Sequence, residues 1–196
     1  MDVLKSFADK FNGKYIERKY DEFQKAEFEY EGFKVVFDYH VNYISGTSHR
    51  QKFTRIIVPF QTRNNFEFEI YPINFLSKIV SIIGFIKNIE IGRRDFDSKL
   101  MIKSNDGFKI KSFLNNISLR ESLIKKNKFK FSISKDKGVW GEKLPINQFE
   151  LSYFTEEIIT DLNEFESIFE LFQISVKQLI LTNEIQPQAY IHKYNR

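Results

Sequence analysis

Phe33-Lys34-Val35-Val36-Phe37-Asp38-Tyr39-His40-Val41-Asn42-Tyr43 carries the clearest periodic pattern in this chain. Phe33, Val35, Phe37, Tyr39, Val41 and Tyr43 alternate with Lys34, Val36, Asp38, His40 and Asn42. Successive side chains on a strand point to opposite faces, so this period of two predicts a half-buried β-strand. Upstream, Phe28 and Tyr30 lie on the other parity, with Glu31-Gly32 between. A tight hairpin turn there accounts for the flip. Downstream, Ser45-Gly46-Thr47-Ser48 predicts a turn and Lys52–Phe60 a third strand. Pro59 lacks a backbone donor and belongs at an edge or a strand end. Asn64-Asn65 turns the chain again. Phe66, Phe68 and Ile70 then alternate with Glu67 and Glu69 as a fourth strand, which Pro72 ends. Residues 24–71 thus predict an antiparallel meander with one apolar face.

Helical spacing flanks this meander. Asp2–Phe11 carries Val3, Leu4, Phe7, Ala8 and Phe11 at helical steps, and Asn12-Gly13 stops it. Asn74–Asn88 predicts a helix apolar nearly all round, a pattern that goes with burial on more than one side. Strands follow near Asn88–Ile91 and Phe96–Lys103. Asp106-Gly107 marks a turn, with helices over Phe108–Asn115 and Ser118–Lys126. Phe129, Phe131 and Ile133 alternate as a strand, and Phe149, Leu151 and Tyr153 form the last one. Between them, Lys135–Asn147 is a loop containing Gly138-Val139-Trp140-Gly141. Asp161 with Glu164 three residues on resembles a capping box and opens a helix to Thr182. The expected fold is α+β in two layers: an antiparallel, meander-type sheet, helices on one face, and a long C-terminal helix. Residues 1–185 read as a single domain, with 186–196 as a loose tail.

Among the 196 residues are 22 Phe, 9 Tyr and 1 Trp. Each buried ring removes about 150–250 Å² from water, so ring burial supplies much of the folding free energy. The absence of Cys removes disulfides, thiolate metal sites and Cys nucleophiles, and fits a reducing cytoplasm. Asp2 and Asp9 argue against a signal peptide. The most apolar stretch, Phe75–Ile86, falls short of the roughly 20 residues a membrane-spanning helix needs. A soluble cytoplasmic domain is the expectation.

The net charge of +4 hides an asymmetry. Arg120–Lys137 is strongly basic, opposed only by Glu121 and Asp136, whereas Glu150–Glu184 is strongly acidic, opposed only by Lys177. Segments so close in sequence partly neutralise each other, which discounts the basic balance as a sign of DNA or RNA.

One motif carries a resemblance. Ile89-Glu90-Ile91-Gly92-Arg93-Arg94-Asp95-Phe96-Asp97-Ser98-Lys99-Leu100-Met101-Ile102-Lys103-Ser104-Asn105-Asp106 is similar to a pattern of uncharacterised bacterial proteins, a domain-of-unknown-function family. That pattern runs strand, Gly, turn, Phe-Asp, alternating strand, Ser-x-Asp, helix, with Phe where this chain has Leu100. The family has no assigned reaction, so the resemblance implies a fold and no activity. Read on its own, the motif puts Phe96, Leu100 and Ile102 on one parity and lets Asp97 pair with Lys99. Arg93 and Arg94 beside Asp95 form a local ion-pair cluster. The forked donors of Arg93 and Arg94 also suit a phosphate or carboxylate, which makes Arg93, Arg94, Asp95 and Asp97 a candidate anion or partner contact.

No nucleophile elbow, phosphate-binding loop, dinucleotide fingerprint or zinc-protease motif occurs, and no catalytic residue or cofactor is assigned. His40, His49 and His192 are isolated, so no metal site is expected. Trp140 between glycines is a candidate interface anchor, since interface hot spots favour Trp. Three functions follow. The first is a non-catalytic domain that binds a protein partner or itself. The second is a carrier or sensor of a small apolar ligand, held between the sheet and the Asn74–Asn88 helix. The third, disfavoured by the charge map, is a single-strand nucleic-acid binder using residues 120–137, where Phe129 and Phe131 interleave with lysines.

Overall fold

The computed structural model describes residues 2–17, 24–43, 50–62, 64–74, 87–135, 144 and 147–186. The elements in chain order are α1 (Val3–Lys10), β1 (Lys14–Ile16), β2 (Lys25–Tyr30), β3 (Phe33–Tyr43), β4 (Arg50–Thr62) and β5 (Phe68–Pro72). Then come β6 (Lys87–Asn88), α2 (Arg94–Asp97), β7 (Leu100–Ser104), α3 (Gly107–Phe113), α4 (Ile117–Ile124), β8 (Phe129–Ser134), β9 (Gln148–Thr155), α5 (Leu162–Leu181) and β10 (Ile185–Gln186). The chain is α+β. Its strands form one antiparallel sheet in the order β1-β2-β3-β4-β9-β8-β5-β7-β6, with β10 added to the end of β4.

The Glu31-Gly32 hairpin forms as the parity flip requires: Phe28 lies opposite Val35, and both Glu31 and Gly32 have positive φ. The meander holds through β4 and then breaks. β9 pairs with β4 along Thr54–Gln61, β8 follows, and β5 comes only beyond them. Neighbours in sequence usually pair, and that rule produced the expected four-strand meander. Here β8 and β9, from far along the chain, occupy the place beside β4.

The helices lie on one face of the sheet. That face carries Phe28, Val35, Phe37, Ile56, Val58, Phe68, Ile70, Phe131, Leu151 and Tyr153, all buried. Phe7 of α1 meets Phe28 and Phe37 of the sheet, each at a centroid distance of 4.9 Å, and Phe165 of α5 at 5.5 Å. Phe131 meets Phe172 edge-on at 5.8 Å. The stripe on α5 is therefore the lid of the core, with Phe165, Ile168, Phe172, Val176 and Leu179 almost fully buried. Aspartates start α1, α3 and α5. Asp2, Asp106 and Asp161 each accept backbone amides of the first turn, which those amides need because no preceding carbonyl reaches them. At Asp161 the donor is the Asn163 amide, at 2.9 Å.

Two further expectations are corrected. Phe96 does not lie on a strand: residues 94–97 form one helical turn, and β7 begins at Leu100. Phe96 is fully buried all the same, inserted from that turn. Nor is β3 half-buried. Val36 and Asp38, on the parity read as solvated, are each only 2% exposed. The expected helix over Asn74–Asn88 falls mostly outside the described residues, as do the Ser45–Ser48 turn, most of the Lys135–Asn147 loop and residues 187–196. Gln186 pairs with Gln61, so described structure reaches the first residue of the expected tail. Among the described residues, no helix is long and apolar enough to cross a membrane.

Candidate functional site

The Ile89–Asp106 motif builds a clamp. The Asp97 carboxylate accepts the backbone amides of Ile91, Gly92 and Arg93 at 3.0, 2.9 and 2.8 Å. Gly92 sits at φ +79°, a conformation that glycine adopts without a Cβ clash. The expected Asp97–Lys99 pairing does not form, because both Asp97 oxygens are turned onto this loop. Farther on, Ser104 Oγ donates to the Glu67 carbonyl at 2.9 Å, and Asn105 accepts the Glu67 amide at 3.0 Å. Asp106 caps α3 through Phe108 and Lys109, both at 3.0 Å. The motif's polar residues thus hold backbone to backbone. Arg93, Arg94 and Asp95 remain exposed on the helical turn, and no ion pair joins Arg93 or Arg94 to Asp95.

The second face of the sheet is charged and yet buried at its centre. In one row across it, Lys25, Asp38 and Arg55 lie side by side in register. Arg55 donates to Asp38 through Nε at 3.0 Å and Nη2 at 2.7 Å, a forked pair with both members under 10% exposed. Glu27, on the same face of β2, takes Lys25 at 2.7 Å and Lys34 at 2.9 Å. Burial pushes the Glu27 carboxyl up, but those two ammonium groups outweigh it and hold it below its ordinary value. Farther across, the Lys130 ammonium rests against Glu69 Oε1, out of line for a hydrogen bond, and neither Glu69 oxygen accepts one.

Glu150 stands apart from this pairing. It is 5% exposed, and its Oε2 has no hydrogen-bond partner. Burial pushes its carboxyl up to about 8; Arg55 pulls against that shift and Asp38 adds to it. At that value Glu150 holds its proton at neutral pH, and a neutral carboxyl leaves Oε2 without a partner at far less cost than a carboxylate would. Sequence reasoning missed Asp38, Arg55, Glu69 and Glu150, because alternation assigns every charged strand residue to solvent. The signal that finds them is charge complementarity across the register, and that needs the strand pairing.

The third feature lies at the outer end of the helices. Phe108 is 85% exposed, Ile117 63% and Leu181 79%. Gln178 of α5 ties their elements together, donating to the Ser112 carbonyl and meeting the Asn116 side chain, and Lys109 pairs with Glu184 just past α5. The three exposed apolar side chains thus sit on elements that these contacts hold together. Phe129 and Phe131 are fully buried, so neither ring of that strand is open to a base. Lys128 pairs with Glu157 at 2.8 Å, so the basic and acidic segments do meet. Trp140 lies outside the described residues, and among those described no group of His, Cys, Asp or Glu is gathered for a metal ion. Comparison with protein-family models, with curated proteins and with solved structures finds no match for this chain.

Proposed function

We propose that this chain is a non-catalytic interaction domain whose contact surface is the end of the helical layer formed by α3, α4 and the C-terminus of α5. The observation that carries this reading is the exposure of Phe108, Ile117 and Leu181 on three elements that hydrogen bonds hold together. A single exposed apolar residue is ordinary, but a grouped set rimmed by polar residues is the usual form of a protein contact. Under this reading the Ile89–Asp106 motif is a fold signature, since Asp97, Ser104, Asn105 and Asp106 are consumed by backbone contacts.

The test places a photo-crosslinking residue at position 108 in the intact chain, with a second version carrying it at exposed Lys5 as control. Light scattering over a concentration series measures self-association in parallel. Support is a discrete product from position 108, absent from position 5 and abolished by Leu181→Asp, or self-association lost in Phe108→Asp. A chain that stays monomeric and gives the same products from both positions overturns the proposal.

A further inference from the structure

A concave cleft of about 450 Å³ opens at the C-terminal end of β5. Its walls come from three places: the residues where the chain leaves β5, the turn between α2 and β7, and the link between α4 and β8. Lys99, Lys126 and Lys128 line it together with Asn74, Ser98 and Asn127, and no carboxylate does. Ile73, Leu100 and Ile124 supply an apolar part of the wall. The Ile73 amide donates to the Lys99 carbonyl at 3.0 Å, which fixes two of the walls to each other.

The three ammonium groups are not equivalent. Lys128 is tied to Glu157 at the rim. Lys99 is exposed and forms no ion pair with a described residue. Lys126 is half-buried, and its Nζ donates to the neutral hydroxyl of Ser167 at 2.8 Å. Burial holds Lys126 below its ordinary value, with Glu164 only partly opposing that. A desolvated ammonium with no carboxylate in contact gains more from an incoming anion than a hydrated one does. The C-terminus of α4 brings roughly half an elementary negative charge nearby, which the lysines after it offset.

We infer that this cleft binds a small organic phosphate, its anionic group held by Lys99 and Lys126 and its apolar part lying against Ile73, Leu100 and Ile124. The size suits a ligand and not a polymer, since small-molecule sites run from about 300 to 1,000 Å³. Elsewhere on the sheet and on α3, Lys130, Lys135 and Lys109 are each matched by Glu69, Glu67 and Glu184. The site also lies at the C-terminal end of α4, whereas Ile117 of the proposed protein contact begins that helix. The two proposals therefore stand or fall separately.

The experiment titrates the isotope-labelled chain with phenyl phosphate, inorganic phosphate and phenol, following backbone amide shifts by NMR. Phenyl phosphate is expected to shift residues 73, 99 and 126 saturably and to bind at least about tenfold more tightly than either fragment. Raising salt from roughly 50 to 200 mM should weaken it, as a charge contact requires. Lys99→Met, at an exposed position, should reduce affinity several-fold without changing the melting temperature, and Lys126→Met should reduce it further. Should Lys126→Met fail to fold, Lys99→Met decides the outcome. The inference is overturned by equal binding of phenol and phenyl phosphate, by shifts elsewhere than around the cleft, by unchanged affinity in Lys99→Met, or by no saturation at millimolar probe.

Discussion

Glu150 is the residue at which the balance between burial and charge is most directly measurable. Its carboxyl moves from an ordinary 4.5 to about 8 in the folded chain. Between those values the folded state carries a proton that the unfolded state has released. Stability from this group is therefore complete below about pH 4.5 and declines as pH rises towards 8. Glu150→Gln keeps the shape without the ionisation, so its urea midpoint should exceed the wild-type midpoint at about pH 9 and match it at about pH 5. Wild-type and variant curves that run parallel across that window would sink the assignment. Gly13 offers a steric counterpart. A Cβ there would lie 2.3 Å from Cε1 of Phe28, whose ring is 5% exposed and cannot swing out. Gly13→Ala should cost about 1–3 kcal/mol in chemical denaturation, the usual range for overpacking.

At the scale of elements, the loop before α2 depends on one side chain. Asp97 takes the amides of residues 91, 92 and 93, and the turn it closes inserts Phe96 into the core. Asp97→Ala should destabilise by roughly 2–3 kcal/mol, because hydrogen bonds to a charged acceptor are lost together. Hydrogen exchange should show the amide of Gly92 deprotected in the variant while those of β4 remain slow. Between β5 and β8, Lys130 matches Glu69, which is 1% exposed. Lys130→Met alone should cost about 3–5 kcal/mol by leaving a buried charge uncompensated. Adding Glu69→Gln should recover much of that loss, and a double-mutant cycle with no coupling would show that the pair is not acting as a pair. Of this element-level structure, the cap at Asp161 is legible in the sequence because a cap involves residues two or three apart, whereas Asp106 reads there only as a turn and Asp2 only as the start of helical spacing. The role of Asp97 is not: its i, i−4 to i−6 reach resembles neither strand alternation nor a standard cap, so alternation alone places Phe96 on a strand whose parity happens to match its burial.

For the molecule as a whole, the helical end and the rest of the surface should respond differently to the same substitution. Phe108→Asp removes no core contact, so its melting stability should stay within about 0.5 kcal/mol of wild type while association is lost. Loss of stability on that substitution would place Phe108 in the core and contradict its exposure. Whereas the short elements β1, α2 and β10 and the burial of the second face of β3 are not legible in the sequence, the main strands, the helices α1, α3, α4 and α5 and their apolar faces are, because periodicity and caps are properties of neighbours along the chain. Most of its phenylalanine reads as core for the same reason. Long-range pairing, by contrast, sets β9 and β8 between β4 and β5 and buries Asp38, Arg55, Glu69 and Glu150 on the sheet's second face. It also left Phe108, Ile117 and Leu181 exposed on elements that pack together and brought the cleft lysines to the end of β5. Those outcomes depend on pairing and packing between segments far apart in sequence. The free energy of burying a charge is set by the partner that arrives there and not by the residue itself.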